Sequence, residues 1–331
     1  MPRRKVRPKA DSPADSAGQA EIFEYQRDTR RSDVAVLEDL MHFRRVLEHD
    51  GLAWLLQTVQ PLEHFYELSA AGLRQIFNQG RHHAGWVHAE TLASHRQHTA
   101  ARKYGDRLHA ALQSTRYRGE LLLPSSLGFR RSLRRSSLAI DWIFSHGSVP
   151  ISLGRPIVAI VGSRNSSKQQ LTAAAIVAEA VGAARGTVVT GLATGADIAA
   201  HRAARPTEAS LVAVLGSGAG RVYPPEHLLY VQELIAGRGT VYSELAPDQS
   251  ANQMTFVLRN RIVAALADVV VTVSGKYASG TAHTVRFAAA SRVPVVSVDP
   301  DPNSGITKLV LEHGGAQVSA SEFTRSLPRE P

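Results

Sequence analysis

The sequence predicts an α/β protein, a doubly wound and mostly parallel sheet of Rossmann-like type, preceded by a small helical domain. Three observations predict it. After Pro150, short β-branched runs alternate with Ala-rich helical runs. The strand-like runs are apolar throughout, as strands covered on both faces are. Several junctions from a strand into the next helix carry small, polar or Gly-rich loops, the places where open α/β sheets bind ligands.

Taken in order, strands are expected at IVAIV (157–161), TVVT (187–190), SLVAVL (210–215), GTVYSE (239–244), DVVVTV (268–273) and PVVSV (294–298). Helices are expected between and after them, at KQQLTAAAIVAEAVGAA, GADIAAHRAA, PEHLLYVQELIA, FVLRNRIVAALA, GTAHTVRFAAAS and GITKLVLEH. Upstream, VAVLEDLMHFRRVL (34–47) spaces Val34, Leu37, Leu40 and Met41 by three and four residues, the period of one helix face. Leu55, Phe65, Leu73 and Phe77 continue that pattern. Residues 1–20 form a Pro/Ala/Ser/Arg tail too poor in apolar side chains to build a core. The expected organisation is a basic tail (1–20), a helical domain (21–115) and an α/β domain (116–325).

Composition narrows the function classes. Of 331 residues, 44% are hydrophobic and 20% charged, a globular balance, and none is cysteine. Disulfides, thiolate nucleophiles, iron–sulfur clusters and cysteine-ligated zinc are excluded. No run reaches the ~18 apolar residues of a membrane span, and the basic N-terminus lacks the apolar core of a secretory signal, so a cytoplasmic protein is expected. The formal charge is +9. Residues 1–150 hold 22 Lys+Arg against 16 Asp+Glu, so two thirds of the surplus lies there. An anionic partner is expected, nucleic acid first.

The strand-end loops carry the chemistry. Gly162-Ser163-Arg164 leads through Asn165, Ser166 and Ser167 into a helix. Gly191 to Gly195 (GLATG) precede Ala196, Gly216 and Gly218 stand in GSGAG ahead of Arg221, and SGKYASG ends at Ser279-Gly280 before Thr281. Glycine lets backbone approach an anion, and free amides at a helix start add donors and a positive dipole end. GSGAG is not the dinucleotide fingerprint, since Arg221 occupies the sixth position, and no Walker A lysine motif is present. No cofactor and no metal are expected. The histidines at 82, 83, 88, 95, 98 and 109 are dense but lack a recognised metal-ligand spacing, and a solvated helix is expected there. In FRRSLRR, Arg130, Arg131, Arg134 and Arg135 fall on one face if that segment is helical, either a surface helix or a phosphate patch.

In order, VAIVGSR (158–164), GLATGADIAAH (191–201), AVLGSGAGRVYPPEH (213–227), SEL (243–245), FVLRNRIVAALAD (256–268) and SGTAHT (279–284) followed by VPVVSVDP closely resemble the DprA/Smf family of bacterial DNA-processing proteins. The resemblance covers about residues 118–320, with GELLLP and IDWIFSHG as its lead-in. It implies a non-catalytic protein that binds single-stranded DNA in transformation or recombination, protects the strand, helps load the recombinase RecA and forms a homodimer. It further implies that Arg164 contacts phosphate, that Arg259 and Arg261 are basic DNA-facing positions braced by Asn260, and that Gly280 and Thr281 form the family's turn. A structural ion pair of Arg259 or Arg261 with Glu244 or Asp268 is the alternative reading. Asp197 and His201, four positions apart, are expected to brace a helix rather than act as an acid–base pair. Tyr223 before Pro224 offers a stacking ring or only shapes its turn, and the turn role is the one expected. The chain departs from the family at SSKQQLTAA, at His227 and at Lys276, and no winged-helix segment is expected after residue 320.

Two other functions compete. A nucleoside-monophosphate phosphoribohydrolase of related fold needs a PGGxGTxxE turn, but Thr284 stands where its glutamate would be. A sensor of a small phosphorylated nucleotide would use the same anion cradle, yet would not need the basic N-terminal half.

Overall fold

The structure, a computed structural model, describes residues 54–55, 58–59, 68–81, 89–90, 119–122, 133, 136, 140, 142–147, 156–237 and 239–328. The tail at 1–20, the histidine cluster and the FRRSLRR arginines lie outside the described residues. Of the expected helical domain, one helix is described in full, α1 (Ala70–Gln79), which buries Leu73 and Phe77 and starts at a Ser69 side-chain cap.

Nine strands form one sheet among the described residues. Six are those expected: β3 (Ile157–Val161), β4 (Thr187–Thr190), β5 (Ser210–Leu215), β6 (Gly239–Ser243), β7 (Val269–Thr272) and β8 (Val295–Ser297). The other three are β1 (Gly119–Leu122), β2 (Ile143–Gly147) and the two-residue β9 (Ala316–Gln317). The order is β1-β2-β6-β5-β4-β3-β7-β8-β9. From β6 to β9 every pairing is parallel, while β1–β2 and β2–β6 are antiparallel. The doubly wound α/β expectation holds, with an antiparallel pair added on one side.

The apolar strands follow from double coverage. On β3, Ile157, Ala159 and Val161 join one core cluster, whereas Val158 and Ile160 join the other. The first cluster is closed by α5 (Gln253–Leu266), α6 (Gly280–Ala290) and α7 (Gly305–Glu312). The second is closed by α2 (Lys168–Ala183), α3 (Ala196–Ala204), α4 (Leu228–Ala236) and, through Phe323, by α8 (Ala320–Ser326). Each fully buried Val or Ile contributes about 1.5–3 kcal/mol of transfer free energy. Alanines at 173, 174 and 178 let α2 lie close on the sheet, which is why its run reads as Ala-rich.

From β3 the chain winds outward through β4, β5 and β6, then returns to the other side of β3 with β7. The switch point is therefore β3, flanked by β4 and β7, and the loops after those three strands share one crevice. No helix among the described residues is long and apolar enough to cross a membrane.

Candidate nucleic-acid interface

A cleft of about 870 Å³ opens at that switch point. Its floor comes from Gly162, Ser163 and Arg164 after β3 and from Gly191 and Asp197 after β4. One wall is the start of α5, with Phe256, Arg259 and Asn260. The other is the start of α6, with Ser279, Gly280 and Thr281. Ten of the residues expected from sequence thus come together from four separate segments.

Each loop has a local cause. Asp197, buried in the first turn of α3, accepts hydrogen bonds from the amides of Gly191 (3.0 Å) and Ala193 (3.3 Å). It folds GLATG back over its own helix start. Leu192 in that loop has φ +53, a left-handed conformation costing a non-glycine residue roughly 1–2 kcal/mol. The loop holds it there: the Leu192 amide donates to Thr190 Oγ1, its carbonyl meets His227 Nδ1 at 3.0 Å, and its side chain is buried. His227 thus tethers the loop. Gly195 has φ +80, and any Cβ would overlap the carbonyls of Ser163 and Arg164, so glycine is required. After β3, the Ser274 hydroxyl accepts from the Ser163 amide (2.8 Å) and pairs with Ser166 (2.7 Å). Two strand ends are thereby tied together.

The electrostatics are lopsided toward positive charge. Arg259 is 7% exposed and donates through Nη1 to the Val214 carbonyl. Its Nε is buried with no hydrogen-bond partner among the described residues. Burial pulls its guanidinium down to about 10, Asp197 opposes that shift and the neighbouring Arg164 adds to it. Arg259 therefore remains a cation at neutral pH. Burial raises the Asp197 carboxyl, while Arg259 and the amides of Ala193, Gly162 and Gly191 lower it. Arg164 is exposed and lies over the Phe256 ring, its carbon 5.8 Å from the centroid, with no carboxylate partner among the described residues. Opposite, Ser279 caps α6, its hydroxyl accepting from the Ala282 amide (3.3 Å), so the helix presents its first amides toward the cleft. Asn260 Nδ2 donates to the Gly280 carbonyl at 3.3 Å and braces α5 against α6.

Seven expected residues lie off the cleft lining. Arg261 is fully buried and grips Glu244 through both terminal nitrogens at 2.6 Å, so the ion-pair alternative is the one observed and Arg261 is not a surface contact. His201 is buried between the Val212 carbonyl (3.2 Å from Nε2) and the Tyr230 hydroxyl (3.3 Å from Nδ1), where burial lowers it to about 4. It braces α3 against β5 and α4 and does not bond Asp197. Ser167 forms a capping box with Gln170 at the start of α2. Gly195 supports the loop turn from beneath. Gly216 underlies Phe256, and Gly218 packs on the Ala246 carbonyl, its amide donating to the Gln249 carbonyl at 2.8 Å. Arg221 donates to the Asp248 carbonyl at 3.3 Å, beside rather than within the cleft.

The cleft also holds Phe256, His283 and Arg286, which the sequence does not single out, and Tyr223. His283 and Arg286 follow Gly280 at three-residue intervals, one helix face, and projecting α6 about its axis would have found them. For Tyr223 the sequence leaves a stacking ring beside the expected turn role, and its place on the cleft lining favours neither by itself.

The DNA recombination-mediator protein A family matches this chain over residues 121–326. The chain belongs to that family. Among named members, the putative DNA processing protein DprA of Mycobacterium tuberculosis is 30% identical over 243 residues, 68% of this chain and 62% of that protein. The Streptococcus pneumoniae DNA processing protein DprA is 34% identical over 146 residues, 44% of this chain and 51% of that protein. The chain thus spans between about half and three fifths of these two relatives. The X-ray structure of the S. pneumoniae protein superposes with a TM-score of 0.69 at 21% identity, covering 92% of this chain and 100% of that one. A structure of Helicobacter pylori DNA processing protein A, described for its single-stranded DNA binding mode, gives 0.57 at 22% identity, covering 63% and 95%. At those identities the two structures share the fold. Family membership fits the ordered loops: the family match begins within β1 and ends at the last residue of α8.

Proposed function

We propose that this chain binds single-stranded DNA in the cleft at the ends of β3, β4 and β7, holding phosphate without reading sequence, and has no catalytic chemistry. The observation that supports this best is the pair Arg164 and Arg259. Arg164 is exposed with no carboxylate partner among the described residues, Arg259 is a buried cation, and both line the cleft whose opposite wall is the start of α6. Two guanidinium groups lining a cleft that also takes in a helix N-terminus are suited to a phosphate and indifferent to the attached base. A polymer rather than a small nucleotide is favoured by the +9 charge, two thirds of which lies before residue 151, away from the cleft segments.

The H. pylori relative, described with single-stranded DNA, supports the ligand class. Action in DNA uptake or recombination, protection of the strand, assistance to RecA loading, homodimer formation and a cytoplasmic location are proposed from the family resemblance. The test is a fluorescence titration of a labelled oligothymidine with wild type and Arg164→Ala. Binding that weakens by about tenfold or more in the mutant supports the reading. Failure to bind the oligonucleotide, with saturable binding of a mononucleotide, replaces it with the sensor.

A further inference from the structure

Beside the anion-holding groups, the cleft has an aromatic wall. The Phe256 and Tyr223 ring centroids lie 5.5 Å apart with planes tilted by 56°. Arg164 also lies over the Phe256 ring, its guanidinium carbon 5.8 Å from the centroid. Phe256 is fixed in place: a Cβ on Gly216 would stand 2.7 Å from its Cδ1, so the bare backbone there seats the ring. Tyr223 is not enclosed. It leans on Phe256, lines the cleft and leaves 52% of its surface exposed. Scattered exposed apolar side chains are ordinary. A ring half exposed within a cleft of about 870 Å³, backed by a second ring, is a stacking platform.

We propose that Tyr223 stacks on a nucleobase, the one whose phosphate lies between Arg164 and the α6 amides. The inference rests on the single-strand reading of the cleft and adds to it the contact that selects an unpaired strand. A base in a duplex has both faces covered by its neighbours, so an exposed ring gains nothing from it without unstacking. A single strand offers the face directly, whatever the base, because every base has one.

The test compares wild type, Tyr223→Ala and Tyr223→Phe on two oligonucleotides of equal length and charge, one of normal bases and one abasic throughout. Thermal midpoints confirm that all three proteins are folded. Tyr223→Ala should weaken binding of the normal strand by about tenfold, the size of one lost stack, and Tyr223→Phe should bind like wild type. On the abasic strand all three should bind alike. A 2-aminopurine strand should be quenched by wild type and Tyr223→Phe and not by Tyr223→Ala.

If Tyr223→Ala binds the normal strand as wild type does while Arg164→Ala does not, stacking is overturned and the phosphate cleft stands. If Tyr223→Ala is equally weak on both strands, the ring only shapes its loop and the proposal is again overturned. If wild type binds neither strand, the single-strand reading fails and this inference falls with it.

Discussion

Arg259 and Arg261 stand two positions apart on α5 and so point to different sides of the helix. Arg259 lines the cleft, and Arg261 faces the core, where Glu244 holds it. In the sequence both read as the arginines of RNR, and no local signal separates them. What separates them is which face of α5 meets the sheet, a property of the packed structure. Removing one partner of a buried pair strands the other charge, so Arg261→Met should lower unfolding free energy by about 3–5 kcal/mol. A urea titration measures it, and adding Glu244→Gln to the same chain should recover part of the loss. His201 makes a pH prediction. Its folded value near 4 lies below the ordinary 6.5, so above pH 6.5 it is neutral in both states. Between those values the unfolded chain takes up a proton that the folded chain refuses. Stability should therefore fall as pH drops from 6.5 toward 4, and His201→Gln should flatten that slope in urea titrations at stepped pH. Burial raises Asp197 and Glu120 and so acts in the opposite sense at lower pH, which is why the wild-type minus mutant difference is the quantity to read.

At the scale of elements, the six core strands were legible because burial on both faces makes each an unbroken apolar run with a polar loop at its end. β1 and β2 were not. IFSHG buries Ser145 and His146 as thoroughly as Ile143 and Phe144, so its hydrophobic pattern carries no period. Its pairing with β1 and β6 is set by distant partners, including Glu244, whose carbonyl accepts from the Trp142 indole at 2.9 Å. The loops were legible as glycines and hydroxyls, but which of them faces the cleft was not. GSGAG looks like an anion loop and instead seats Phe256 and packs on the Ala246 carbonyl. The N-terminus of α6 offers a direct test. A side chain at Gly280 meets nothing within 4 Å, and an acid in the first turn suits the helix dipole. Gly280→Asp should hold its thermal midpoint or raise it, with a gain of up to about 1 kcal/mol. The same change puts a carboxylate where phosphate is proposed to sit, so single-strand binding should drop by about tenfold or more. A folded mutant with unchanged binding would remove α6 from the interface.

For the whole molecule, topology does what no segment can. Because β3 lies between β4 and β7, loops more than a hundred residues apart in sequence, after β3 and after β7, reach one crevice, and the start of α5 closes it. The basic surplus has two parts of different kind: a diffuse one concentrated before residue 151, and a local one made by Arg164, Arg259 and Arg286 at the cleft. Only the local part has a described geometry, and it is there that phosphate is proposed to sit. The claim that this cleft is where the strand is held is tested most directly by the salt dependence of binding. The slope of log K against log salt should be measured for wild type, Arg164→Ala and Arg221→Ala on one oligothymidine. Arg164→Ala should weaken binding and make the slope shallower by about 0.7, the value of one lost single-strand phosphate contact. Arg221→Ala, an exposed arginine beside the cleft, should leave both unchanged. Equal effects of the two mutations, or a slope that Arg164→Ala does not move, would contradict the account.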